Sequence, residues 1–306
     1  MDRRTFLVTA AATAALSAVP KDAGAQTQTP ASASTGKFKL RYAPDVGAFK
    51  AHAGDDPIEN IRFAADQGFT AMFDNGLNGR PKDLQEKIGK EMGRLGMTLG
   101  PFVMYAEWKK PWLVTRDNEV RQALVKVTQE AIEVAKRANV KWGLLVPGPY
   151  SQNLEWDYQT ANVIENLKAC AEVAQTAGLI VVIEPLNPHD HPGLFLQKIP
   201  QAYQICQAVG SPSMKIVDDL YHQQITEGNL IPNIDRAWDE IAAFHLGDNP
   251  GRKEPGTGEI NYRNIFKHVQ GKGYSGVLCM EHGNSKGNGK EAEKSWIAAY
   301  RACDDF

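Results

Sequence analysis

The chain has 306 residues, with 34 Lys+Arg against 36 Asp+Glu and a formal net charge of −2 at pH 7. The two signs are interspersed and leave no basic stripe, which excludes nucleic acid as the natural partner. Length alone fits one large barrel or two smaller domains.

The first stretch reads as an address rather than as fold. Arg3-Arg4 precede an Ala-rich apolar run from Val8 to Val19, and Ala23-Gly24-Ala25 offers a small-residue cleavage site. Residues 1–25 are therefore expected to be a twin-arginine signal peptide that directs the protein to the periplasm or out of the cell. The apolar run is shorter than the ~20 residues a membrane helix needs, so no stable span is expected after processing. Residues 26–37, rich in Thr, Ala, Ser, Pro and Gly, read as a disordered tether. Residues 38–306 read as one catalytic domain.

Within that domain Phe38 to Tyr42 alternates as a first strand. Asp56-Pro57 opens a helix, with Asp at the cap and Pro in the first turn, and Gly68 closes it. Thr70 to Phe73 is a second strand, and Asp74-Asn75-Gly76 turns out of it. A helix from Pro81 to Leu95 stops at Gly96, and Thr98 to Val103 gives a third strand. The loop Trp108 to Trp112 reads either as a lid or as tryptophans packed on a rim. Leu124, Val127, Ala131, Val134 and Ala138 form one apolar stripe of a long helix. Strand four is Trp142 to Val146, and a helix through Ile164, Leu167, Ala171 and Ala174 follows. After the strand at Leu179 come a helix from Ile199 to Val209, a strand to Asp219, a helix from Ile234 to Ile241 and a strand to His245. A helix from Asn261 to Gln270, a strand to Glu281 and a helix from Glu291 to Cys303 complete the chain. About eight strand–helix pairs favour a parallel sheet under helices. A doubly wound sheet is the alternative, but no G-x-G-x-x-G follows an early strand. Cys170, Cys206, Cys279 and Cys303 lack C-x-x-C spacing and read as free thiols, Cys170 and Cys206 buried ones.

The chemistry gathers at strand ends. Leu179-Ile180-Val181-Val182-Ile183 is apolar on both faces, as a strand of a covered parallel sheet must be. It stops at Glu184-Pro185, where proline ends the ladder. An ionised carboxylate at the end of a buried strand costs free energy unless a cation or partner compensates it. Three later apolar runs end the same way, at Asp218-Asp219, at His245 and at Glu281. Counted to Asp219, the spacings are 35, 26 and 36 residues, about one strand–helix unit of ~30 or more each. In a (β/α)8 TIM barrel such ends converge on one mouth. Oxygen and imidazole donors there suit Mg²⁺ or Mn²⁺. His189, His191 and His282 read as rim residues.

These strings resemble the xylose isomerase-like barrels, and within them the hydroxypyruvate isomerase family. The resemblance runs from about Leu40 to the C-terminus. It is carried by Ile183-Glu184-Pro185-Leu186-Asn187 with Asp190, by Asp219-Leu220-Tyr221-His222-Gln223, and by Gly247-Asp248-Asn249-Pro250-Gly251-Arg252 and its continuation to Tyr262. It implies Glu184, Asp219, His245 and Glu281 as metal ligands, and it selects Asp219 over Asp218. It also implies an aldose–ketose isomerase that converts hydroxypyruvate to tartronate semialdehyde through a cis-enediolate. Glu184 and Glu281 then serve as the acid–base pair. Asp190 and His222 are expected to hydrogen-bond a substrate hydroxyl, and Arg252 to pair with its carboxylate. Histidine at 245 follows the related ketose 3-epimerases, where hydroxypyruvate isomerases often carry Gln. A ketose 3-epimerase is therefore the first alternative, and a non-catalytic periplasmic carbohydrate-binding barrel the second. The expected partner is a small hydroxy-oxo acid or sugar. The sequence leaves the oligomeric state open, a homo-oligomer included.

Overall fold

Short parallel strand segments alternate with helices throughout the computed structural model, which describes residues 36–306. The signal-peptide expectation, and all but the end of the tether, lie outside the described residues. In chain order the elements are β1 (Tyr42–Ala43), α1 (Lys50–Ala53), α2 (Pro57–Asp66), β2 (Ala71–Met72), α3 (Lys82–Arg94), β3 (Thr98–Leu99), β4 (Phe102–Ala106), α4 (Asn118–Ala138), β5 (Trp142–Val146) and α5 (Trp156–Thr176). The chain continues through β6 (Ile180–Ile183), α6 (Ile199–Val209), β7 (Met214–Asp219), α7 (Leu220–Thr226), α8 (Leu230–Ala237), β8 (Ile241–His245), α9 (Tyr262–Gly271), β9 (Val277–Cys279) and α10 (Lys290–Asp304). None of the described helices is long and apolar enough to cross a membrane.

The strands are parallel in the order β1-β9-β8-β7-β6-β5-β4, and β2 pairs with β3. Two local features close this curled sheet into a ring. A bridge between Asp45 and Phe73, with Phe73 N donating to Pro44 O at 3.0 Å, joins β1 to β2. β3 and β4 are the two halves of one barrel strand, interrupted at Gly100-Pro101. Pro101 has no N–H for the ladder. A Cβ on Gly100 would lie 3.1 Å from both Cys279 Sγ and Phe73 Cβ, so the chain crosses here with backbone alone. The result is a (β/α)8 TIM barrel.

Side chains sort by parity. Ala71, Phe73, Trp142, Leu144, Val182, Val217, Ala243, Val277 and Cys279 fill the barrel interior. Val181, Ile183, Ile216, Phe244 and Leu278 face the helices, where Leu124, Ala131, Val134 and Ala138 of α4 also pack. Burying each larger aliphatic side chain contributes ~1.5–3 kcal/mol. Because successive strand residues alternate, an inward Val182, Val217, Ala243 and Cys279 aim Glu184, Asp219, His245 and Glu281 inward at the mouth. Asp218 shares the outward parity of Ile216.

Several element boundaries differ from the sequence expectation. The first strand is not Phe38–Tyr42 but begins at Tyr42. Phe38 and Leu40 instead pack into the core, and Lys39 N donates to Asp304 Oδ2 at 2.8 Å, taking this segment out of the ladder. Thr98–Val103 is two pieces for the reason given above. The helix expected from Ile234 to Ile241 starts at Leu230 and ends at Ala237. A 3₁₀ turn at Trp238–Glu240 follows, and Ile241 is taken by β8, paired with Ile216. The short helices α1 and α7 carry too few turns to leave a periodic signal. All four cysteines are free, with Cys170, Cys206 and Cys279 buried.

Candidate metal centre and active site

Four consecutive barrel strands each deliver one side chain to the same point. Glu184 follows β6 directly, Asp219 and His245 are the last residues of β7 and β8, and Glu281 lies just past β9. Ligand atoms of all four lie within 4.8 Å of one another, and they are the one such cluster among the described residues. Asp219 also caps the next helix, its Oδ1 accepting from Tyr221 N at 2.8 Å and His222 N at 3.4 Å. That cap fixes the carboxylate and leaves Oδ2 facing the cluster.

The electrostatics are those of a cation site. Three carboxylates meet in a largely buried space, with side-chain exposures of 5% at Glu184, 1% at Asp219 and 23% at Glu281. His245 Nδ1 lies 2.9 Å from Glu184 Oε1 and 3.1 Å from Glu281 Oε2. Burial alone would lower the His245 pKa, but Glu281 and Glu184 raise it well above the ordinary imidazole value. Burial pushes Glu184 up to about 7, against the opposing pull of His245. At Glu281 burial is overcome by His245 and Arg252, which hold it below the usual carboxylate range. Arg252 Nη2 donates to Asp219 Oδ2 at 2.9 Å and to Glu281 Oε2 at 2.7 Å, and its guanidinium lies over the Tyr221 ring at 4.9 Å. Its φ of 49° turns the loop sharply enough to send that side chain back over the mouth. Three carboxylates and one imidazole are hard-to-borderline donors, and their convergence could hold a divalent cation.

The expected substrate-binding residues flank this cluster. His222 Nε2 stands 3.5 Å from Asp219 Oδ2. Asn187 Nδ2 contacts His222 Nδ1 at 2.6 Å, so Nδ1 is the accepting nitrogen and Nε2 carries the proton. Asp190 is tied by Asn187 Nδ2 at 3.0 Å and Tyr221 OH at 2.8 Å. The Asn187 amide, with help from the Tyr221 hydroxyl, lowers the Asp190 pKa against its own desolvation. His189 and His191 lie on this rim, whereas His282 turns away to Tyr300 OH at 2.7 Å. Asn75 was not singled out by sequence reasoning. Its Nδ2 donates to Glu281 Oε1 at 2.5 Å, and its Oδ1 is buried without a partner. The Asp74-Asn75-Gly76 string reads only as a turn, and its position just past β2 was the sole available signal.

Fold and site together define the class. The sequence profile described as "Xylose isomerase-like TIM barrel" matches residues 61–303, and the chain belongs to that family. Among individual proteins it is 32% identical over 187 residues to hydroxypyruvate isomerase of Escherichia coli K12, an overlap of 61% of this chain and 70% of that one. It is 34% identical over 140 residues to 2-oxo-tetronate isomerase of Cupriavidus necator H16, spanning 46% of this chain and 53% of that one. The crystal structure of an AP endonuclease, family 2, from Brucella melitensis superimposes with a TM-score of 0.71 at 24% identity, covering 85% of this chain and 99% of the other. That last likeness is one of fold.

Proposed function

We propose that this chain isomerises a small 2-oxo-3-hydroxy acid, with the conversion of hydroxypyruvate to tartronate semialdehyde as the simplest case. The single observation that carries the reading is the convergence of Glu184, Asp219, His245 and Glu281 beside an arginine. The named relatives supply the substrate class.

Glu184, Asp219, His245 and Glu281 would hold Mg²⁺ or Mn²⁺, which supplies Lewis-acid polarisation of the oxo group and offsets the negative charge that develops on oxygen. The remaining work belongs to side chains. One of the two glutamates takes a proton from C3, leaving a cis-enediolate. The other returns a proton to C2, and the C3 hydroxyl proton passes to the C2 oxygen, so the acid is neither oxidised nor reduced overall. Arg252, whose Nε and Nη2 are engaged by Glu281 and Asp219, orients the substrate carboxylate through its remaining Nη1 donors. His222 Nε2–H donates to a substrate hydroxyl, and the Asp190 carboxylate accepts from one. A second reading, epimerisation of a ketose at C3, uses the same two glutamates and is favoured by histidine at 245.

The test is incubation of the Mn²⁺-loaded mature protein with hydroxypyruvate and detection of tartronate semialdehyde. Turnover is expected, to stop with chelator, and to fall about a thousandfold in Glu281→Gln or Glu184→Gln. Activity on ketohexoses alone would select the epimerase. Sugar binding without turnover, and surviving Glu184→Gln, would select a binding protein.

A further inference from the structure

Arg252 owes its place to a loop that holds its own shape. Asp248, fully buried, accepts from the N–H groups of Asn249 at 3.0 Å, Gly256 at 2.8 Å, Gly258 at 2.9 Å and Ile260 at 3.0 Å. One carboxylate thus gathers the loop that follows β8 into a closed unit. A Cβ on Gly258 would fall 2.2 Å from Asn249 O, so the two limbs of that unit meet backbone to backbone. Asp248 N also donates to Lys253 O at 2.7 Å, which draws the middle of the loop back to its start.

A closed loop still has to be aimed, and the segment after β9 does this. Arg252 O accepts from Gly283 N at 3.0 Å. Two residues on, Glu254 reaches Ser285. Its Oε2 accepts from Ser285 N at 2.8 Å and its Oε1 from the Ser285 hydroxyl. Glu254 is 4% exposed, and a carboxylate taken that far out of water is costly unless donors meet it. Burial would raise its pKa, but the hydroxyl and N–H of Ser285 bring it below the ordinary carboxylate value. Arg252 itself, at φ 49°, occupies a backbone region that persists only where neighbouring contacts hold it. The contact of Glu254 with Ser285 is one of those that do.

The guanidinium beyond this turn is already committed at two of its nitrogens. Nε donates to Glu281 O at 3.1 Å, and Nη2 to Asp219 Oδ2 and Glu281 Oε2. The Nη1 donors are left for a substrate carboxylate, and their direction follows from the loop. We propose that Glu254 is the positioning residue for Arg252: its clamp on Ser285 aims the Nη1 donors at the carboxylate and fixes how tightly an acid is held. Among the described residues Glu254 has no hydrogen bond to any of the four converging side chains, so its effect passes through Arg252. The inference rests on the hydroxy-oxo acid reading and adds the residue on which recognition of the acid group depends.

The experiment measures KM and kcat on hydroxypyruvate, and glycerate binding by calorimetry, in Mn²⁺-loaded wild type, Glu254→Ala, Glu254→Gln and Ser285→Ala. Glutamine can still accept from Ser285 N and donate to its hydroxyl, so Glu254→Gln should stay within about threefold of wild-type KM. Glu254→Ala should raise KM and weaken glycerate about thirtyfold, with kcat within about threefold, because a charge-assisted contact to the carboxylate is lost. Ser285→Ala, at an exposed position, keeps the N–H contact and should raise KM about fivefold. It carries the test if Glu254→Ala does not fold. A fall in kcat at unchanged KM, or a Glu254→Gln as impaired as Glu254→Ala, overturns the assignment. Glycerate, which cannot be isomerised, separates this outcome from failure of the proposed function. Glycerate binding that depends on Glu254, without turnover of hydroxypyruvate, keeps the positioning role and rejects the isomerase. Turnover at wild-type KM in folded Glu254→Ala and Ser285→Ala does the reverse. A wild type that neither binds glycerate nor turns over hydroxypyruvate rejects both.

Discussion

Neighbouring aspartates on β7 have opposite fates. Asp219 points inward and is a cluster member, whereas Asp218 points into the helix layer, fully buried, with neither oxygen partnered. Burial there, reinforced by Asp219 and Glu227, raises the Asp218 pKa well above the carboxylate range. An unpartnered polar group in such a place costs ~1–3 kcal/mol. Asp218→Leu is therefore expected to raise stability by about 1 kcal/mol in urea unfolding, with Asp218→Asn close to neutral. A loss above ~2 kcal/mol in either variant would mean that the carboxyl is satisfied in solution. His245 makes a second prediction. Its Nδ1 proton, kept by Glu184 and Glu281, must leave before that nitrogen can bind a metal. Mn²⁺ binding should release at least one proton and weaken as pH falls. Calorimetry in buffers of different ionisation enthalpy measures this directly, and buffer-independent heats would reject it. The four strand ends that the sequence singles out converge in the fold, and the signal was that a charged residue ending an apolar strand is costly without a purpose. It could not decide between Asp218 and Asp219 from the residues alone, because β7 is apolar on both faces and alternation then has no visible inside.

At the scale of elements, the long ones were legible. The strand Trp142–Val146 and the helix Ile199–Val209 fall where the pattern puts them, since each buries a continuous face. The α7 helix, at seven residues, was hidden. What starts it is the Oδ1 of Asp219, a carboxylate that the sequence had marked only for its expected chemical role. Outside the mouth, Glu91 of α3 links two helices, its Oε1 accepting from Arg62 of α2 at 2.7 Å and from Arg94 at 2.6 Å. Hydrogen bonds from Arg94 and Arg62 lower its pKa to about 2 from an ordinary 4.5. A carboxylate lowered on folding adds stability above pH 4.5 and loses it as pH falls toward 2. Both arginines are about half exposed, so screening limits the contribution to ~1 kcal/mol. Glu91→Gln should lower stability by about that much at neutral pH and flatten the acid limb of the stability curve. An unchanged limb would show that the pairs contribute nothing.

For the whole molecule, the ring of strands was foreseeable and its seam was not. The spacing of apolar runs implies a repeated strand–helix unit, but the break at Gly100-Pro101 and the single bridge at Asp45–Phe73 depend on close approach of distant residues. The same holds for Trp108 and His191, whose stacking joins loops far apart in the chain. Reading residues 1–25 as a twin-arginine leader makes a prediction for the molecule in its cell. Arg3→Lys with Arg4→Lys should leave unprocessed protein inside the cytoplasm, measured by fractionation. Normal export of that variant would reject the twin-arginine route.

Every acidic or imidazole member of the cluster comes from β6 to β9 or the residues just after them, while the Trp108 loop hangs from β4. The four converging side chains and the exposed tryptophan loop thus hang from separate arcs of one ring. An engineer could exchange the stretch between Ala106 and Leu113 without replacing any of those four side chains. Gene drift has the same freedom, within the ties that cross the ring, among them the amide of Asn75 on Glu281 and the Trp108 ring on His191.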